Sequence, residues 1–290
     1  MKDPFENIVK WEQNDASSLL CPCPPKVRSD PISACRHFFP SVHASPVRCP
    51  RSGPSPGKRP RRERRMNNTE EKMNEILKEL GKKYNYDSTK AQYAPFNEFK
   101  IKWRRTYRWI EFDVSDYLED VPENVFRGVL EYTFRKIVGK DSKYPKEVVE
   151  YLSSDAFVDM AQPIYIERRR RVSEGPEGEN RNLMDSYRRL IDKGLVNDDP
   201  RIVLRWDEAL RKSVGNASIL MRFAQINRNL DTLEISENAF DYAVYSRIAH
   251  IQCGFENQGP IRTEIFEQLL DRYPGRNQAI GELEKMGFDI

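Results

Sequence analysis

An α+β fold, with a small antiparallel sheet packed against helices, is what this 290-residue sequence predicts. Three observations predict it. Phe240, Ala243, Val244, Ile248 and Ile251 recur at steps of three and four, which gives a helix over 238–251 one apolar face. Phe99, Ile101 and Trp103 alternate with Lys100 and Lys102, the period of a half-buried strand. A strand–turn–helix pattern also occurs twice. At a spacing of 114 residues Glu123 pairs with Glu237, Asn124 with Asn238, Phe126 with Phe240 and Ile137 with Ile251. Phe112-Asp-Val-Ser pairs with Ile226-Asn-Arg-Asn at the same spacing. Two related units and two convergent amphipathic helices both fit these identities.

Taken in order, residues 1–65 differ from everything after them. They hold 11 of the 19 prolines, four of the five cysteines and two of the three histidines. So much proline leaves no periodic apolar pattern, which predicts disorder. Three readings stand for this stretch. Cys21, Cys23, Cys35, His37, His43 and Cys49 are a zinc knuckle of unusual spacing, or Lys58–Arg65 is a basic nucleic-acid or targeting arm. In the third, the stretch is upstream or dispensable sequence and Met66 is the working start; the sharp compositional break there favours it. The overall charge of +3 hides a tail of +7 and a body of −4, so the basic character says little about the body's partners.

Beyond Met66 the signals become regular. Asn68-Thr-Glu-Glu71 predicts a capping box, with Met73, Ile76, Leu77 and Leu80 on one helical face and Gly81 as the stop. Strands follow at 99–103 and 107–114, and Pro122 opens a helix to Ile137. Residues 144–172 read as one or two short helices broken at Pro163. This first unit, 66–172, is separated by the acidic linker 173–180 from a second unit, 181–290. The second unit reads as a helix from Leu183, strands at 202–206 and near 219–226, the 238–251 helix, and helices at 262–272 and 277–286.

Two sets of residues are candidates for chemistry. Lys100, Lys102, Arg104 and Arg105, interleaved with aromatics, and the run Arg168, Arg169, Arg170 and Arg171 are candidate phosphate contacts. The bland alternative is an edge strand kept charged and a frayed helix end. The second set is the last pentad of the 238–251 helix, Ser246-Arg247-Ile248-Ala249-His250. With Ile226-Asn-Arg-Asn-Leu-Asp231 before it, and Arg262-Thr-Glu-Ile-Phe266, Leu269, Arg272, Tyr273 and Pro274 after it, residues 181–290 resemble the SprT-like zincin metallopeptidases.

That family carries His-Glu-x-x-His in the pentad's slot, two histidines gripping zinc and a glutamate acting as base on the metal-bound water. Its third zinc histidine opens the following helix. In this chain Ser246 stands for the first histidine, Arg247 for the glutamate and Arg262 for the third histidine; only His250 remains. The resemblance therefore implies a zincin-like frame without zinc and without peptidase activity. In it Arg247 and Arg262 replace the metal's positive charge by pairing with carboxylates such as Glu256 or Glu264; the plainer alternative is that both simply point to solvent. The equivalent slots of the first unit hold Tyr132, Thr133 and Lys136.

The functional expectation is thus an inactive zincin-like protein that binds a protein partner or acts as a scaffold. A nucleic-acid-associated protein and a hydrolase with a rearranged metal site are the alternatives. No Walker or Rossmann glycine loop is present, and Cys253, three residues after His250, is placed for packing rather than nucleophilic attack. With no secretory signal and no apolar run of roughly 20 residues, the expectation is a cytoplasmic protein without a membrane span.

Overall fold

A computed structural model describes residues 10–15, 61–140, 143–256, 259–260 and 263–290. The fold is mixed α+β. The first unit comprises α1 (Arg61–Lys83), β2 (Ser88–Ala94), β3 (Lys100–Arg105), β4 (Trp109–Ser115), α2 (Glu123–Ile137), α3 (Lys146–Leu152) and α4 (Asp155–Arg169), with β1 (Lys10–Asp15) at the sheet edge. The second comprises β5 (Ser173–Glu174), α5 (Leu183–Asp192), β6 (Val203–Asp207), β7 (Gly215–Ser218), β8 (Phe223–Asn227), α6 (Glu237–Gln252), the hairpin β9 (Phe255–Glu256) and β10 (Gly259–Pro260), α7 (Thr263–Asp271) and α8 (Arg276–Lys285).

Each unit holds a four-stranded sheet, in the orders β1-β3-β4-β2 and β5-β6-β8-β7. Both sheets are mixed, which corrects the purely antiparallel expectation. β3 pairs antiparallel with β4 and β7 with β8, whereas β2 runs parallel to β4 and β6 to β8. The reason is the chain's path. After β2 or β6 it crosses to the far side of the sheet, makes the next strand there, and returns by a tight turn into the central position. In both units a helix precedes the three strands, and a single 3-10 turn separates the central strand from the next helix. β4 and β8 begin 114 residues apart, and so do α2 and α6. The repeat suspected from a few identities is therefore a repeat of topology.

Packing follows the predicted stripes. Ile101 and Trp103 of β3 face inward against α2, whose Val125, Phe126, Val129 and Phe134 are buried. The alternating lysines lie on the opposite face, half-exposed. α6 is different, for its residues Ala239–Ser246 and Ile248–Ile251 are all buried, so it has almost no solvent side. Its one buried carboxylate, Asp241, takes 2.7 Å from the Ser186 hydroxyl, 3.0 Å from Arg189 Nε and 3.3 Å from Lys193 Nζ, fastening α5 to α6.

The units share a core. Ile219, Leu220, Met221 and Phe223 of the second pack into the hydrophobic cluster of the first. Gln162 of α4 donates to the Arg201 and Met221 carbonyls at 2.8 and 2.7 Å. Segment 173–180, read from the sequence as a linker, is clamped rather than loose. β5 pairs with β6, Trp206 Nε1 donates to the Pro176 carbonyl at 3.1 Å, and Asp231 accepts from the backbone amides of Glu179, Asn180 and Arg181.

Several local expectations need correction. α1 begins at Arg61, ahead of Met66, so Asn68-Thr-Glu-Glu71 lies inside the helix rather than capping it. β1 likewise falls within 1–65, while the six cysteine and histidine positions there lie outside the described residues. Gly81 does not stop α1; a side chain there would collide with Thr89 of β2, so its role is close approach. α4 runs straight through Pro163, which sits exposed on its outer side. β2, with the polar sequence Ser-Thr-Lys-Ala-Gln-Tyr-Ala, carried no strand signal. The second unit's edge strand lies at Gly215–Ser218, not within 219–222, where the chain turns through Arg222 at φ 43°.

Replacing Asp241 by asparagine leaves Arg189 and Lys193 without their buried anion. The expected loss is roughly 3 kcal/mol of unfolding free energy, read as a lower urea midpoint at unchanged slope. Asp113→Asn, on an exposed strand face, should change it by less than about 0.5 kcal/mol.

Candidate functional site

The site is built on α6, and its neighbours are pinned to that helix by hydrogen bonds from side chains to backbone. Ser236 caps the helix, its hydroxyl accepting from Ala239 N at 3.2 Å, and donates to Glu282 of α8 at 2.7 Å. The Tyr273 hydroxyl donates to the Asn238 carbonyl at 2.8 Å, and that of Tyr245 donates to the Leu269 carbonyl. These bonds fix the α7–α8 corner beside α6. Between β7, α6, α7 and α8 lies a cavity of about 560 Å³.

Ser246, Arg247 and His250 all line it. The Ser246 hydroxyl donates back to the Ala243 carbonyl at 2.8 Å and accepts 3.2 Å from Arg247 Nε. Arg247 Nη1 reaches across to the Gly215 carbonyl of β7 at 3.2 Å. Gly215 permits that approach, because a Cβ there would stand 3.1 Å from Arg247 Cγ and collide with the Gln225 carbonyl oxygen. Among the described residues no carboxylate forms an ion pair with Arg247. This corrects the expectation that it pairs with Glu256 or Glu264, since the guanidinium is turned onto the sheet edge instead. Arg262 lies outside the described residues. Burial pulls the Arg247 pKa down to about 10, which still leaves the group charged at neutral pH.

His250 is buried edge-on to Phe266, with ring centroids 5.6 Å apart. Burial first, and the Arg247 charge second, push its pKa down to about 3, so the ring is neutral across the physiological range. Two further residues complete the wall. Tyr242 is fully buried; burial raises its pKa, and the facing Arg276 guanidinium and then Arg247 act against that rise. Arg276 pairs with Glu267 at 2.8 Å, with Asp271 and with the Tyr242 hydroxyl. Sequence reasoning missed both residues. Tyr242 was detectable, being four residues before Ser246 and eight before His250 on one helix face. Arg276 and Gly215 come from distant segments and gave no signal.

The donor set does not fit zinc. A catalytic zinc site takes three N, O or S ligands plus water. Here the pentad offers a serine whose hydroxyl proton is committed to its own helix, one guanidinium and one imidazole. Among the described residues no three His, Cys, Asp or Glu side chains converge as a metal-binding group.

The first unit offers a contrast at the equivalent slots. Tyr132 is buried and stacks on buried Tyr144 at 3.7 Å, and Thr133 bonds its own helix at Val129. Tyr132 and Thr133 are thus buried in packing and Lys136 is exposed, whereas the three positions on α6 line a cavity.

The cationic candidates are dispersed and largely committed. Arg168 makes two bonds to Asp116, one of 2.9 Å, and one to the Phe96 carbonyl. Arg169 bonds Gln225 at 2.8 Å and pairs with Glu98 at 3.5 Å, which makes it a strut between the units. Only Arg170 and Arg171 of that run are exposed. On β3, Arg104 pairs with Glu111 at 3.2 Å, Arg105 bonds the Tyr86 hydroxyl, and Lys100 and Lys102 stand over the Phe96 ring. No protein-family model, curated protein or solved structure matches the chain. No helix among the described residues is long and apolar enough to cross a membrane.

The depressed His250 pKa links stability to pH. The unfolded chain takes up a proton below about 6.5 while the folded ring stays neutral until about 3. The His250 contribution is therefore intact above 6.5 and lost as the pH falls towards 3, by roughly 5 kcal/mol in all. His250→Leu should flatten the pH dependence of the melting temperature between 6.5 and 4; an unchanged slope would place the acid sensitivity elsewhere.

Proposed function

We propose that this protein is a catalytically inactive, zincin-like binding module of the SprT-like type, a scaffold that holds a partner and does not cut it. One observation carries this reading. The guanidinium of Arg247 occupies the general-base position of the pentad and is held over the Gly215 carbonyl. A fixed cation there repels a metal ion, and guanidinium does not deprotonate near neutral pH to serve as a base. The order of elements supports the frame: helix, three strands, pentad-bearing helix, further helix. The repeat of that order in the first unit, with its slot filled by Tyr132 and Tyr144, supports a fold kept for its shape.

The other two readings find less support. A rearranged hydrolase needs a nucleophile or metal ligands, and the Ser246 hydroxyl is bound to its own helix while the Cys253 thiol is pushed up to about 11 by burial. A nucleic-acid role through 100–105 and 168–171 would need cations free to meet phosphates. Arg168 and Arg169 are instead tied to Asp116, Glu98 and Gln225.

Zinc loading tests the proposal. The full chain is incubated with excess zinc, dialysed, and measured by elemental analysis and by hydrolysis of an unfolded protein substrate, alongside His250→Leu. The expected result is no hydrolysis and no zinc that depends on His250. Stoichiometric zinc lost in His250→Leu, together with hydrolysis, would overturn it.

A further inference from the structure

The hollow slot is the most informative feature of the molecule, because the polar groups left over in it are of one kind. The buried Tyr242 hydroxyl lies against the Arg276 guanidinium, from which it can only accept, so its own proton is left without an acceptor. Arg276 is committed to Glu267, Asp271 and that hydroxyl. Arg247 spends Nε on Ser246 and Nη1 on Gly215, and Nη2 has no acceptor among the described residues. Arg247 and Tyr242 can therefore each still donate a proton, and all three residues line the same cavity. A buried donor without an acceptor, and above all a buried cation without an anion, is unfavourable unless something brought from outside completes it. The missing group is an oxyanion.

Which oxyanion follows from the remaining walls. Phe266, Leu270 and Ile280 give the cavity an apolar side, and its volume of about 560 Å³ is that of a site for a small organic molecule, not of an ion alone. Glu267, Glu284 and Asp289 line it as well, and Glu284 and Asp289 are exposed. Those carboxylates repel a polyanion such as a phosphorylated chain, while a single carboxylate on an apolar body meets the donors at one end and the apolar wall along its length. We propose that the cavity on α6 binds a small monocarboxylate with an apolar body, its carboxylate held by Arg247 and Tyr242 with Arg276 beside them.

This deepens the binding-module reading and rests on it, since a zinc ion in the slot would claim the same space. Arg247 acts as the charged anchor and Tyr242 as the directional donor. The neutral ring of His250 and Phe266 form the floor on which the apolar body lies. No bond is made or broken.

The test is calorimetric titration of the full chain with three probes at matched ionic strength: phenylacetate, its neutral isostere phenylacetamide, and inorganic phosphate. Expected is saturable binding of phenylacetate and at least about tenfold weaker binding of the amide, because a hydrogen bond to a charged group is being lost. Phosphate should give no saturable binding. Arg247→Met should erase the preference for the acid. Tyr242→Phe, which removes one oxygen and keeps the ring, should weaken phenylacetate roughly two- to tenfold with unchanged melting temperature, guarding against an Arg247→Met variant that fails to fold. Equal affinity for acid and amide would overturn the proposal, as would phosphate binding more tightly than phenylacetate, or no binding by any probe. Those failures leave the inactive-module reading standing; it falls instead on His250-dependent zinc with hydrolysis.

Discussion

The structure depends on the burial of α6. Residues from Ala239 to Ile251 are almost wholly removed from solvent, enclosed by α5, the second sheet, α7 and α8. A helix so placed cannot leave its polar side chains to water, so each must be answered from inside. Asp241 is answered by Ser186, Arg189 and Lys193; Ser246 by its own Ala243 carbonyl; Arg247 by the Gly215 carbonyl; His250 by losing its proton. Tyr242 is answered by the Arg276 guanidinium of α8. The positions of α5, β7 and the α7–α8 corner all follow from these answers, because each supplies one or is tied to the helix beside one.

The two units solve the same topological problem with different chemistry. In the first, the slots on α2 are filled by packing: Tyr132 stacks on Tyr144, and Tyr144 in turn meets Phe255 of the second unit's hairpin at 5.2 Å. The filled slot thus becomes part of the seam between units, along with Gln162, Arg169 and the 219–223 turn. One copy of the repeat serves as support and the other retains a hollow. That division explains why the arginine run at 168–171 is internal wiring at its start and exposed only at its end.

Much of the fold was legible where local pattern and tertiary burial agree. The stripes of α2, α5 and α6 and the alternation of β3 follow from periodicities of 3.6 and 2, which report on which face is buried. The strands that escaped notice, β2 and β7, lie at or next to sheet edges and are short on apolar residues, so nothing in Ser88–Ala94 or Gly215–Ser218 distinguishes them from loop. Pro163 misled because a proline on the exposed side of an otherwise well-packed helix is tolerated when the burial of Phe157, Val158, Ala161 and Tyr165 holds the turns on either side. Of the site, Ser246, Arg247 and His250 were legible from one helix, and the cavity closes on them as a group. Its remaining donors and its rim come from β7, α7, α8 and the chain end, a convergence that no single stretch of sequence encodes.

The cation on α6 contrasts with the equivalent part of the first unit. There the neighbouring position is filled by aromatic packing of Tyr132 on Tyr144. Arg247 does the opposite. It keeps a charge in a place where burial pulls its pKa down, beside a histidine forced neutral and a tyrosine that faces Arg276, and a cavity lies in front of all three. Collapse of that cavity would remove the unfavourable terms one by one, since small shifts of Phe266 or Ile280 would exclude the space that the donors face. The slot stays open because α7 and α8 are held off α6 by their own tethers, the Tyr245, Tyr273 and Ser236 bonds, none of which involves the cavity. The opening in front of Arg247 is thus a consequence of how α7 and α8 are tethered to α6.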